Sequence, residues 1–314
     1  MRVILLLRAA AVMPTSLHYL FTVFAWGLTW TAIHVQVGLA APDISISYRF
    51  ALSGLVMLMG LGLARRLWRP RRHELKWLAL QGLLLYCLNF VFLYRATGLL
   101  PSGLVAVIFS LASLFNAANQ WLLLRISPPL RLLPAALLGV SGVACMFWPQ
   151  LHGASASWAG IGFAVLGTWC FSLGNLVGQR NRNAGVPLFG GNAWAMSMGA
   201  IGLAFGAWLS DAAFTLPTRI DYWGAMAFLV VVGSILGFAS YLTLVHRLGP
   251  AKAGFTAVLF PVVALSASTW LEGFVWQPIS VIGALMALAG NLVMFWPIRT
   301  VRASPRTSPS VKTD

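Results

Sequence analysis

The chain has 314 residues, 59% of them hydrophobic and only 9% charged, with a formal net charge of +15. A water-soluble domain covers itself with roughly a quarter to a third Asp, Glu, Lys and Arg, so this composition excludes one and makes lipid the solvent. The positive charge invites a nucleic-acid reading, but nucleic-acid binders gather their cations on a soluble, motif-bearing face, and here the cations lie in short gaps between apolar runs.

Residues 1–16 begin like a signal peptide, yet Arg8 cuts the apolar run short and no small-residue cleavage site stands out. The segment reads as a cytoplasmic N-terminal extension, with Met13 as an alternative start. A helix needs about 20 apolar residues to cross the hydrocarbon core. Runs of this kind succeed one another at 17–38, 44–64, 77–97, 101–123, 131–149, 157–179, 187–209, 221–245, 253–271 and 277–298. Gly, Pro and Ser mark the short connections, as in Ala41-Pro42-Asp43, Pro101-Ser102-Gly103, Ser127-Pro128-Pro129 and Leu216-Pro217-Thr218. Continuous apolarity excludes a transmembrane barrel, whose strands alternate in polarity. Backbone groups in lipid must be satisfied internally, which leaves helices. The expectation is an all-α integral membrane protein of ten transmembrane helices, with a polar, Pro-rich tail at 299–314 that reads as disordered.

Short cytoplasmic loops carry an excess of Lys and Arg. The cluster Arg65-Arg66-Leu67-Trp68-Arg69-Pro70-Arg71-Arg72 therefore fixes one side, and alternate loops from it collect 18 of the 21 Lys and Arg residues. Arg49, Arg95 and Arg219 fall elsewhere. Both termini come out cytoplasmic, and the surplus charge also suits contact with anionic lipid headgroups. Cys87, Cys145 and Cys170 lie inside spans without metal-ligand spacing and read as packing residues.

The chain also resembles itself. Ser102-Gly103-Leu104-Val105-Ala106-Val107-Ile108-Phe109-Ser110 corresponds to Ala253-Gly254-Phe255-Thr256-Ala257-Val258-Leu259-Phe260-Pro261. Gly142-Val143-Ala144-Cys145-Met146-Phe147-Trp148 corresponds to Gly290-Asn291-Leu292-Val293-Met294-Phe295-Trp296, and Trp26-Gly27-Leu28-Thr29 to Trp169-Cys170-Phe171-Ser172. These landmarks divide the chain into halves at 17–149 and 157–298, each of five spans. Five is odd, so the second half enters the membrane from the opposite side. Such inverted repeats are a transporter device, with a substrate site between them and alternating exposure by rocking.

With Trp26-Gly27, Tyr48-Arg49-Phe50, the Gly-x-x-Ala-Val-Ile/Leu-Phe-Ser/Pro element opening spans four and nine, and Leu271-Glu272-Gly273, the chain resembles ten-span members of the drug/metabolite transporter superfamily built from two EamA domains. The resemblance covers about residues 17–298 and implies an inner-membrane exporter of amino acids or other small metabolites. One departure stands out. The family commonly carries Gly-Glu-Arg at the end of the fourth span, where this chain has Leu124-Arg125-Ile126.

Polar groups inside a membrane are costly and mark functional candidates. Arg49, near the outer end of span two, either grips a substrate carboxylate bidentately or snorkels to headgroups and helix-end carbonyls. Tyr86, Asn89, Phe90 and Tyr94 share a stripe of span three at helical spacing, suited to a cavity wall, although a lipid-facing belt explains Tyr94 equally well. Span four offers Phe109, Ser110, Ser113 and Asn116, and Pro261 is expected to loosen span nine. Trp26, Trp30, Trp169 and Ser172 lie at or beside the repeated Trp motif and suit stacking on a solute, against a reading as packing or lipid contact. Gly233, Ser234 and Gly237 read as close helix contacts.

No Asp or Glu falls mid-span, so a buried carboxylate relay is unsupported, and His34 and Glu272 are the outer-side candidates for proton coupling. Walker A, HExxH, paired-Cys and GxSxG strings are absent. The reading is a carrier without cofactor or metal. Its partners are a small-molecule substrate and membrane lipid, with monomer or homo-oligomer open. A membrane-embedded enzyme or a channel is the alternative.

Overall fold

The computed structural model describes residues 14–151, 157–212, 214–248, 253 and 256–295. The N-terminal extension up to residue 13, the tail beyond 295, and Gly254, Phe255 and Trp296 of the repeat landmarks lie outside the described residues.

Ten helical rods succeed one another among the described residues: α1 Thr15–Gln36, α2 Pro42–Leu63, α3 Arg72–Thr97, α4 Ser102–Leu124, α5 Leu132–Leu151, α6 Trp158–Asn183, α7 Leu188–Leu209, α8 from Ile220 to Leu248, α9 Thr256–Leu271 and α10 Pro278–Phe295. Six of them, α2, α3, α4, α6, α7 and α8, are long and apolar enough to cross a membrane, while α5, α9 and α10 contain shorter apolar stretches. The first rod, though 22 residues long, falls outside both groups; it carries His18, His34, Gln36 and several hydroxyls.

Local chemistry sets the ends. Pro42 and Asp43 occupy the first turn of α2, where a missing N–H is harmless and a negative charge meets the positive end of the helix dipole. Ser157 caps α6 by accepting from the Gly160 N–H at 3.1 Å. Gly185 and Gly273 come after α6 and α9 at positive φ, a conformation that an L side chain resists.

Two rods change their winding midway. Gly82–Leu88 in α3 and Leu229–Leu236 in α8 are π-helical, so their i→i+5 bonding shifts the register of the later turns in each rod. No break accompanies Pro261, since α9 runs on through it; an unexpected break falls instead in α4, at Leu111 between Ser102–Ser110 and Ala112–Leu124.

In the packing, α5 pairs with α10 and α2 with α7, while α1 lies against α8 and α9, and α6 against α3 and α4. Glycines let these backbones touch. A Cβ on Gly142 would stand 2.5 Å from the Ala287 nitrogen and 2.6 Å from the Gly283 oxygen, and one on Gly82 would stand 2.5 Å from the Ala195 oxygen. This is the small-residue packing that helices use when lipid supplies no hydrophobic drive between them. Leu52, Leu55, Met59, Ile201, Phe205 and Leu285 stay exposed on the outside of the bundle, as a lipid face requires. Cys87 and Cys170 are buried free thiols, in keeping with packing.

Candidate functional site

The end of the bundle that carries the basic 65–72 loop holds a cavity of about 110 Å³, of mixed polar and apolar lining, between α3, α6, α7 and α8. Gln81, Tyr86, Asn175, Asn192, Arg182, Phe238 and Tyr241 are among its walls. Buried amides give it a fixed shape. Asn192 Oδ1 accepts from Gln81 Nε2 at 2.9 Å and from the Tyr86 hydroxyl at 3.2 Å, and Asn181 Nδ2 donates to Gln81 Oε1 at 2.8 Å. Arg180 lies over the Trp77 ring at 4.0 Å beside this network, and Arg182 stands exposed at the rim.

An aromatic cluster continues from the cavity toward the middle of the bundle. Trp26 packs on Tyr241 and Phe238, with centroids 4.9 and 5.6 Å apart, and Trp30 on Phe109 at 5.2 Å, which in turn meets Phe171 at 4.7 Å. The π-helical stretch of α8 contributes a carbonyl here: Gly233 O accepts from Trp26 Nε1 at 3.2 Å.

Arg49 lies in the interior, only 3% exposed. That burial overturns the snorkelling reading, because the guanidinium is enclosed by the bundle and does not extend to its outside. Its faces rest against Phe90 at 4.6 Å and Phe50 at 5.1 Å, its Nε donates to Ser234 Oγ at 3.3 Å, and the Tyr94 hydroxyl stands beside it. Nη1 is buried without a partner. Among the described residues the ion pairs are His34 with Glu272 and Arg219 with Asp221, so Arg49 has no carboxylate. Burying an ion costs several kcal/mol, whereas a cation over an aromatic face recovers roughly 0.5–2 kcal/mol. The rings alone do not offset the burial.

At the opposite end Glu272 links α9 to the start of α4. Its carboxylate accepts from the Ser102 backbone N–H at 2.8 Å, from the Ser102 hydroxyl, and from Ser268 Oγ at 3.1 Å. His34 Nδ1 lies 3.9 Å away and its side chain is 44% exposed. The two proton-coupling candidates are thus neighbours.

The other sequence candidates divide. Tyr86, Phe90 and Tyr94 keep to one side of α3, in a cluster with Phe50 of α2; Tyr94 is buried and donates to Gln36 Oε1 at 2.8 Å, which excludes a lipid-facing belt. Asn89 turns to its own helix, donating to Leu85 O at 3.1 Å, and leaves Oδ1 buried and unpartnered. Ser110 and Ser113 turn to α10, where Asn291 bridges them at 2.8 and 3.3 Å. Trp169 is 45% exposed and bonds Asn119, whose amide donates to Ser172. Asn116 keeps a buried Oδ1 without a partner. Gly233 and Gly237 do make close contacts with α1, but Ser234 is the partner of Arg49. Sequence reasoning missed Gln36, Gln81, Asn192 and Asn119; an amide inside an apolar run was the available signal.

The sequence matches the EamA-like transporter family over residues 14–148 and 158–296. The uncharacterized transporter YyaM of Bacillus subtilis is 23% identical over 298 residues, covering 93% of this chain and 96% of that protein. The uncharacterized inner membrane transporter YedA of Escherichia coli K12 is 27% identical over 252 residues, 79% of each chain. Protein PecM of Dickeya dadantii is 24% identical over 241 residues, 76% of this chain and 78% of its own. A protein known from its crystal structure shares the fold with a TM-score of 0.63 at 17% identity, over 89% of this chain and 95% of that one.

Proposed function

The chain belongs to the EamA-like transporter family, and from that premise we propose that it is a secondary transporter of the inner membrane, exporting small organic metabolites, amino acids or related compounds, by alternating access. In this reading all ten helices cross the membrane in two inverted five-helix repeats, with both termini cytoplasmic. The packing supports the repeat: α1 against α8 and α9 is mirrored, five helices on, by α6 against α3 and α4, and the pairs α2–α7 and α5–α10 join counterparts. Both α3 and α8 carry their π-helical stretch at equivalent places. The basic 65–72 loop and the Arg180–Arg182 turn support a cytoplasmic assignment for the cavity end, and the inner membrane agrees with the name of the Escherichia coli relative.

One observation carries the reading. A cavity with buried amides lies at the basic end while Glu272 ties α9 to the start of α4 at the other, an asymmetry that supports a carrier facing the cytoplasm. Solute enters beside Tyr86 and Asn192, passes the aromatic cluster of Trp26, Trp30, Phe109 and Phe171, and leaves when the Glu272 end parts. Asn89 and Asn116, with unpartnered oxygens, are available to such a solute, and Ser110, Ser113, Trp169 and Ser172 form the framework of α4, α6 and α10 around the path. His34 and Glu272, 3.9 Å apart at that end, are the candidates in this reading for coupling a proton to opening. The test is efflux from cells expressing the chain and loaded with a panel of amino acids and their analogues, and then saturable counterflow in proteoliposomes. Flux that rises linearly without saturation would indicate a channel instead.

A further inference from the structure

We propose that Arg49 and Gln36 form a receptor for the carboxylate of the transported solute, in the half of the bundle away from the open cavity. The proposal deepens the carrier reading by naming the chemistry of the cargo, and rests on it for that cargo to move.

Two buried donors in this region lack acceptors, Arg49 Nη1 and Gln36 Nε2. Both side chains are almost completely buried, at 3% and 1% exposure. They converge on one group: the Tyr94 hydroxyl donates to Gln36 Oε1 at 2.8 Å and stands beside the guanidinium. With the Gln36 oxygen occupied, its amide N–H bonds are what remain to offer. Phe50 and Phe90 cover faces of the guanidinium and Ser234 takes Nε, which leaves the Nη1 edge for an incoming acceptor. Edge-on approach of two oxygens is how a guanidinium holds a carboxylate.

Charge fixes the class. Arg49 makes no ion pair, and Asp43, six residues earlier on α2, makes none with it either. A singly charged carboxylate neutralises one cation, whereas a dianion would leave a net charge buried. Arg182 at the rim of the open cavity adds a second cation along the route, favouring entry of an anion-bearing solute. The nearest rings, Phe50 and Phe90, leave an apolar body as the natural remainder of the ligand.

The test uses the full chain in lipid nanodiscs and reads binding by thermal shift and intrinsic tryptophan fluorescence. The probes are benzoate, phenylacetate, L-phenylalanine and L-alanine, each against its primary amide. At least one carboxylate should bind about tenfold or more tightly than its amide, the worth of one charge-assisted bond. Arg49→Lys should lose that preference. Gln36→Glu places a carboxylate beside the orphaned guanidinium, so it should raise the melting temperature and abolish carboxylate binding, a result that stands even if Arg49 variants do not fold. Equal affinity for acid and amide throughout the panel, or carboxylate binding that persists in Gln36→Glu, would overturn the receptor. These readouts need no flux, so carboxylate binding without counterflow would fail the carrier reading alone.

Discussion

Glu272, at the end of α9, accepts the backbone N–H of Ser102, the first residue of α4, at 2.8 Å. One carboxylate thereby supplies an acceptor to a helix start in the other half of the chain, where the positive end of the helix dipole favours negative charge. The corresponding end of α4 reads Leu124-Arg125, which offers no carboxylate.

The first prediction concerns that tie. Glu272→Ala removes three accepted hydrogen bonds and leaves the Ser102 donors short of a partner, at about 1–3 kcal/mol for each buried orphan. The variant should melt several degrees lower, and a cysteine at Ser102 should become reactive to an impermeant thiol reagent that leaves it untouched when Glu272 is present. Unchanged melting and unchanged protection would mean that the tie does not hold this end closed.

Close backbone approach makes a second prediction. Gly142→Leu drives a side chain into Gly283 and Ala287 of α10, an overpacking that costs roughly 1–3 kcal/mol or more. A Cβ on Gly62 meets nothing within 4 Å, and Gly62→Leu should be near neutral. Melting curves of the two purified variants compare them directly; equal behaviour would contradict the intimate α5–α10 contact.

Orientation is checked by labelling. A cysteine at Ser157 should react with a membrane-impermeant thiol reagent added outside intact cells, and one at Arg69 should react only after permeabilisation. The reverse result would turn the whole assignment of the cavity end over, and with it the direction of transport.

The cavity wall is tested at Asn192. Asn192→Leu leaves Gln81 Nε2 and the Tyr86 hydroxyl without their acceptor, while Tyr86→Phe removes one donor and leaves the amide pair intact. Flux at matched membrane abundance should fall markedly in the first and less in the second. Parallel loss of abundance and flux in both would assign the network to folding.

Arg49→Lys separates geometry from charge in transport itself. A lysine ammonium is a point charge and cannot present two parallel N–H bonds, so efflux of carboxylate solutes should drop about tenfold or more while a neutral solute of the panel is spared. Near-normal efflux of the carboxylates would leave Arg49 with a purely architectural role.

Composition and the length of the apolar runs determined a good deal about this protein. An all-helical membrane bundle came from lipid as solvent, because unpaired backbone has nowhere else to go. Where both sides of an end are described, most expected helix ends lie within a few residues of those observed, as at Pro42, Gly185 and Gly273, which act locally, while α3 starts at Arg72 rather than near 77. Of the expected stripe Tyr86, Asn89, Phe90 and Tyr94, three members keep to one cluster, because helical spacing holds them on one side, whereas the Asn89 amide donates to its own helix. Tertiary structure decided what each polar side chain faces. Helical spacing names a face without naming the neighbour, so it did not reveal that Ser110 and Ser113 turn to Asn291, or that Trp169 turns outward to Asn119. The π-helical turns of α3 and α8 shift register in a way that apolar pattern does not encode, and neighbouring helices approach closely at Gly82 and Gly233 within them. Arg49 is the sharpest instance. Its place near a helix end allowed either solvent or interior, and only the partners that four other residues, Phe50, Phe90, Tyr94 and Ser234, bring to it from α2, α3 and α8 fixed it inside.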